Sequence, residues 1–296
     1  MSTRVTTGMV QRNILADLNA VNGRLTRAQT QAASGKQITR PSDDPFNTSR
    51  ALALRQDLEG TRQYMRNVDD ADSWLKATDT ALTQITDSVQ LARDLVLQGA
   101  SDSSDPAARE AIALQVEQLI KSVKESANAN YRGSYLFSGA KSDTAPFDVD
   151  GADAYLGDGG TIARQIGPGT SIEVNVRADD ALGGPAGVLS TLRGIVTHLR
   201  AGDGTALRTG DLDALDAGID KLLGIQAAGG ARANRLEAAT GRLAELEEST
   251  ISQLSTTEDA DIAKTLIELN SQSAAYQAAL RAGASLLQVS LMDFLR

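Results

Sequence analysis

With 296 residues, a net charge of −9 and no cysteine, the chain has room for about two domains and has no disulfides, thiolate metal sites or cysteine nucleophiles. No basic stripe runs along it, which argues against phosphate-backbone binding and a nucleic-acid partner. Aromatics make up only 3% and Ala, Leu, Gln, Glu, Arg and Asp dominate, the composition of long helices rather than of a large aromatic core.

In chain order, Val10, Ile14, Leu18, Val21, Leu25, Ala28 and Ala32 recur every three or four residues and predict a first helix with one near-heptad stripe. Ser34-Gly35 ends it, with Gly35 in the left-handed position after a helix. Arg40 before Pro41 favours extended backbone, and Asp44 with Pro45 restarts the helix as cap and first residue. The second helix runs from about 45 to 98 on a stripe that includes Leu54, Leu58, Met65, Leu75, Leu82, Ile85 and Val89. Asp105-Pro106 repeats the cap-and-proline start, and a third helix carries Ile112, Val116, Leu119 and Val123 back alongside the second. Between Gly139 and Gly210 lie 14 of the 26 glycines. There Ile172, Val174 and Val176 alternate with polar residues as a half-buried strand, and Gly157, Gly159 and Gly160 are read as a hairpin turn.

Helix resumes at Val188, Leu192, Ile195, Val196 and Leu199. A long helix follows from Asp211, with Gly229-Gly230 as its weak point. Ser255 to Glu258 has the form of a capping box that restarts the helix. The last segment places Ile262, Leu266, Leu269, Tyr276, Leu280, Leu287 and Phe294 on a second heptad-like stripe. The expected fold is mainly α: long antiparallel helical rods, paired terminal helices and a small β-rich insertion. Its expected division is a terminal helical domain (1–44 and 255–296), a rod domain (45–137 and 187–254) and a β-rich outer domain (138–186). A terminal helix with one apolar stripe gains little stability alone, so the terminal helices are expected to order fully when subunits pack together.

Two stretches carry a resemblance. SGKQITRPSDDP (34–45) resembles the region where the N-terminal helix ends in members of the flagellin superfamily, and the segment beginning EDADIAKTLIELN (258–270) resembles their C-terminal helix. RPSDDP, ANYRGSYLFSGAKSDTAPF, GARANRLEAATGRLAELEES and the ending SLMDFLR are similar to the hook–filament junction branch, the hook-associated protein 3 family. The resemblance implies a non-enzymatic subunit of the bacterial flagellum, exported largely unfolded through the flagellum's own type III channel without a cleaved signal peptide. It also implies an extracellular ring of copies between the first hook-associated protein and flagellin, and a dedicated export chaperone on the C-terminal helix. Terminal helices would line an inner tube, with Arg40, Asp43 and Asp44 in the spoke that sets register. Filament flagellin and an intracellular helical scaffold are the competing readings.

Other motifs carry less. His198 is alone, with no second histidine for a metal site or triad. Asp148, Asp150 and Asp153 hint at a calcium loop, but its twelfth position is Gly159 where a glutamate is needed. GDGG and GPG lack the flanks of a phosphate cradle and read as turns. No cofactor, nucleic-acid partner or membrane insertion is expected.

Overall fold

Prolines set the starts of two long helices. Asp105 caps α3 (Pro106–Ala127), its carboxylate accepting from the Ala108 N–H at 2.6 Å. Pro106 takes the first helical position, where a missing N–H leaves no bond unmade. Pro45 opens α2 (Pro45–Gly99) behind Asp44, which accepts from the Asn47 N–H at 3.0 Å. Before it, α1 (Thr7–Ser34) stops where the sequence predicts, with Gly35 at φ +67°. The computed structural model describes residues 7–101, 105–184 and 187–294. Among them are six long helices and two small antiparallel sheets, so the protein is mainly α with a small β-rich part.

The chain forms two compact units, one of residues 61–245 and one of residues 1–60 with 246–296. The boundaries fall inside α2 and α6 (Leu212–Glu258) rather than at helix breaks. Within the first of these units α2 and α6 run antiparallel. Arg93 meets Asp216 at 2.6 Å and Gln226 meets Thr83 at 3.1 Å, so numbers rise on one helix as they fall on the other. α4 (Val188–Ala201) lies against α3, with Arg200 bonded to Glu110 and Glu117. A helical turn, α5 (Gly204–Ala206), and a π turn (Leu207–Asp211) lead directly into α6, which therefore follows earlier helical turns rather than beginning at Asp211. It continues unbroken through Gly229-Gly230.

The glycine-rich segment has no core of its own. Phe137, Phe147, Ile166, Ile172 and Val174 join Val68, Ile85, Val116, Ile120, Leu192 and Leu222 in one hydrophobic cluster. So short a segment cannot bury enough apolar surface by itself. Two expectations are corrected here. The main hairpin, β3 (Ala163–Gly167) and β4 (Thr170–Glu173), turns at Pro168-Gly169, not at residues 157–160. Gly157 and Gly160 serve close approach instead: a Cβ at Gly160 would stand 2.4 Å from that of Ala140. The strand also ends at Glu173, because the Asn175 side chain turns inward to bond Ile162 N–H and the Gly160 carbonyl. A second hairpin, β1 (Asn130–Tyr131) and β2 (Ser134–Tyr135), lies before residue 138, its turn made by Arg132 and Gly133, both at positive φ.

The stretch that resembles a calcium loop folds around an internal cation. Lys124 is fully buried, and its ammonium donates to the carbonyls of Asp148 and Gly151 at 3.0 and 2.9 Å. It also pairs with Asp153 at 2.7 Å, and Arg193 binds that carboxylate's other oxygen. Burial raises the Asp153 carboxyl, but its bonds to Arg193 and Lys124 outweigh this and hold it below the usual carboxylate range. Removing one partner of a buried pair leaves the other desolvated and unpaired, typically a loss of ~3–5 kcal/mol. Lys124→Met is therefore expected to lower the unfolding free energy of this unit by several kcal/mol and its urea midpoint with it, followed by fluorescence of Trp74, the chain's only tryptophan. An unchanged midpoint would show that the loop does not depend on the ammonium.

Candidate functional site

The two stretches that carry the sequence resemblance fold onto each other. After α1 ends, Gln37 N–H donates to the Glu258 carbonyl at 2.7 Å, and Ala260 N–H donates to the Gly35 carbonyl at 2.9 Å. Lys36 and Asp259 thereby form an isolated antiparallel bridge. Glu258 is buried, only 6% exposed, and its carboxylate takes the Lys36 ammonium at 2.7 Å on one oxygen and the Arg55 guanidinium on the other. One desolvated charge thus ties the break after α1, the start of α2 and the end of α6 together.

This corrects the expected capping box. Ser255 lies inside α6, which continues to Glu258. The break falls at 259–261, and Asp261 caps α7 (Ile262–Phe294), accepting from Lys264 N–H at 3.1 Å. Glu258 does not reach back to Ser255 because its carboxylate is held by the two cations.

From the clasp outward α1 packs along α7 in an antiparallel register. Lys36 stands by Asp259, Arg24 reaches Gln272 at 3.4 Å, and a Cβ on Gly283 would lie 3.3 Å from Ile14 and 3.9 Å from Leu18. Gly283 is where the two helices approach closely. Ile14, Leu18, Val21 and Leu25 are half-buried and Ala28 is buried, as a seam requires. On α7 the partly or fully buried positions are Thr265, Leu269, Gln272, Ser273, Tyr276, Ala279 and Gly283. Ile262, Leu266 and Leu280, expected on one stripe with Leu269 and Tyr276, are instead exposed at 50%, 48% and 45%. At about 100° per residue, Ile262 and Leu280 lie about 60°, and Leu266 about 100°, from the line through Thr265 and Gly283, on the flank of the seam where one partner helix gives little cover. The expected interface side chains of Val10, Leu287 and Phe294 lie outside the described ones.

The expected spoke residues occupy the loop between α1 and α2. Asp43 accepts from the Thr39 hydroxyl at 3.1 Å and the Arg40 N–H at 3.0 Å, with Arg27 at 3.6 Å, while the Arg40 side chain is exposed. Burial pushes the Asp43 carboxyl up, but those three donors outweigh it and leave it below its ordinary value. The Asn47 N–H and side-chain amide likewise hold the Asp44 carboxyl down. His198 bonds Asp211 at 2.7 Å beside the π turn, a two-residue contact. No group of three His, Cys, Asp or Glu suited to a metal occurs among the described residues. Nor is any described helix long and apolar enough to cross a membrane.

Sequence reading missed two features of this unit. Phe46 and Leu52, on the first turns of α2, are large and exposed, and Glu258 carries the clasp rather than a cap. Exposed side chains off a stripe leave no periodic signal. A buried glutamate bridging two distant cations leaves none either.

With this geometry in place, comparison with known proteins is informative. The family model for the bacterial flagellin N-terminal helical region matches residues 5–142. Hook-associated protein 3 of Salmonella typhimurium is 24% identical over 55% of this chain and 51% of its own length. Flagellin FlaB1 of Treponema pallidum is 25% identical over 94% of this chain and 95% of its own. A solved Vibrio parahaemolyticus chain, described as a flagellar hook-associated protein, superposes with a TM-score of 0.68 at 25% identity, covering 73% of this chain and all of that one. The chain spans about half the length of the first curated relatives it matches. In sequence and fold the chain is similar to bacterial flagellins and flagellar hook-associated proteins. Among the relatives matched, hook-associated protein 3 chains recur in both sequence and fold.

Glu258→Gln keeps the side-chain shape and removes the charge shared by Lys36 and Arg55. It is expected to weaken the clasp by roughly 1–3 kcal/mol, seen as faster proteolysis at 35–44 and 259–261 with Trp74 fluorescence unchanged. Equal cleavage rates would deny the clasp its role. The depressed Asp44 carboxyl sets a pH window as well. Such a group stabilises above its unfolded value, 3.8, and that stabilisation is lost as pH falls through its lower folded value. The Asn47 amide resonance is therefore expected to titrate with a midpoint below pH 3.8, and in Asp44→Asn not to titrate there. A midpoint above 3.8 would contradict the cap.

Proposed function

We propose that this chain is a structural subunit joining hook to filament in the bacterial flagellum, assembled by burying the apolar surface of its terminal helices between copies. One observation carries the reading. The unit containing α1 and α7 buries only Ala28, Ala51 and Leu58 as described hydrophobic side chains, yet holds ten of the fifteen large exposed ones. Apolar surface of that extent marks an interface in soluble proteins. Similarity to hook-associated proteins in sequence and fold supports the junction role.

In this reading copies form a ring between the first hook-associated protein and flagellin, with terminal helices innermost, the α2–α6 region next and the β-rich segment outward. Arg40, Asp43 and Asp44 set register between neighbours. Export proceeds unfolded through the flagellum's own channel without a cleaved signal peptide, a dedicated chaperone covering α7 beforehand. The second reading is filament flagellin, favoured by the match to the Treponema pallidum flagellin over nearly the whole chain.

Seeded assembly separates the two. Purified protein added to hooks ending in the first hook-associated protein is expected to add one layer and stop, as seen by electron microscopy. Long filaments would mean flagellin, and no binding would refute both. Leu266→Asp on the exposed α7 flank and Ile14→Asp in the α1–α7 seam are each expected to leave Trp74 fluorescence unchanged and to abolish incorporation and swimming. Normal swimming by either variant would overturn the proposed burial.

A further inference from the structure

We infer that copies of this chain dock head-to-tail through the first turns of α2, with Phe46 of one copy entering a cation-rimmed cavity on the next. The inference rests on the assembly reading above and specifies which surfaces meet. Phe46 is 76% exposed, the highest value among the described large hydrophobics, whereas Phe137 and Phe147 are buried in the core. A phenyl ring held in water at the start of a capped helix gives up hydrophobic stabilisation unless something covers it.

The cavity lies in the same unit and has a volume of 580 Å³. Ile38, Pro41, Ala51 and Leu52 form apolar parts of its wall. Its charged lining is three cations, Lys36, Arg40 and Arg55, against one carboxylate, Glu258. That carboxylate is already shared by Lys36 and Arg55. The cavity is thus apolar inside and carries excess positive charge. The occupant it suits is uncharged, apolar and electron-rich on its face. An aromatic ring meets all three conditions, since its quadrupole attracts guanidinium and ammonium groups without the desolvation of a carboxylate.

Helical geometry rules out the chain's own Phe46 as the occupant, and a second copy offers the matching exposed ring. At 3.6 residues per turn, Phe46 and Arg55 point about 180° apart around α2, and Ala51 lies about 140° from Phe46. Knob and cavity occupy opposite sides of the first three turns of α2, so a chain cannot fill its own cavity. Each copy offers one of each, and a contact between two different patches is heterologous. Repetition of such a contact closes a ring or extends a helix. Both outcomes are compatible with a superfamily that builds flagella, and the cavity–knob pair places the contact beside the clasp.

The absence of cysteine makes the test free of background. Full-length Phe46→Cys, Leu52→Cys and the double variant are seeded on hooks, oxidised and resolved without reductant. Positions 46 and 52 lie ~9 Å apart along one helix, too far for an internal disulfide. Phe46→Cys removes the ring and so lowers incorporation; from the copies that still enter, the expected result is a ladder of linked oligomers for the double variant and monomers for each single one. Dimers from Phe46→Cys alone would mean that Phe46 faces itself, and the inference would fall. A double variant that is incorporated, as counted by electron microscopy, but yields no ladder would refute the docking while leaving the assembly reading intact. Failure of the unsubstituted chain to incorporate would instead sink the assembly reading and this inference with it. As a check independent of cysteine, Phe46→Ala is expected to reduce incorporation about tenfold and Phe46→Trp, the stronger partner for cations, to restore it. Unchanged incorporation by Phe46→Ala would also overturn the docking.

Discussion

The arrangement of the terminal helices depends on one buried carboxylate. A desolvated charge is tolerated only when paired and hydrogen-bonded. Glu258 meets that condition by drawing in Lys36 from the break after α1 and Arg55 from the third turn of α2. The backbone bridge between Gly35–Gln37 and Glu258–Ala260 then follows at small further cost, since the strands are already side by side. With the two breaks tied, α1 and α7 leave the same point, and that point sets their antiparallel register. The small side chain of Gly283 lets that register persist toward the far end, where Ile14 and Leu18 come close.

The two compact units treat apolar surface in opposite ways. In residues 61–245 helices and the glycine-rich segment share one closed core, and Lys124 donates to the carbonyls and pairs with the carboxylate that the segment turns inward. In the other unit a two-helix pair covers only one side of each partner. Two helices cannot enclose a core, so the remaining apolar residues stay at the surface. The same shortage of layers that makes this unit incomplete alone gives it surface to bury between copies. Both readings of the function draw on it.

The calcium-like stretch shows how composition can point to a ligand that the fold already supplies. Asp148 to Asp153 offers carbonyls and a carboxylate of the kind that bind cations. A lysine 24 residues before Asp148 supplies that cation covalently. A reading of spacing excludes calcium because the twelfth position is glycine, but nothing in the spacing names Lys124 as the occupant.

The sequence by itself determined the helix boundaries that depend on local backbone chemistry: Gly35 as a left-handed stop, Asp44-Pro45 and Asp105-Pro106 as starts, and the stripes of α1 to α4. These follow from φ preferences, caps and the 3.6-residue period, all of which act within a few residues. It also brought two motifs into view, SGKQITRPSDDP and EDAD, without showing that they touch. Only the tertiary structure decided that contact, because the bond between Glu258 and Lys36 spans 222 residues and has no local signature. The same holds for the true break at 259–261 in place of Ser255, the hairpin turn at Gly169 rather than Gly160, and the exposed positions of Ile262, Leu266 and Leu280. A stripe says that a side will be buried if a partner exists. How wide the partner is, and so which apolar residues stay outside, is settled by packing alone.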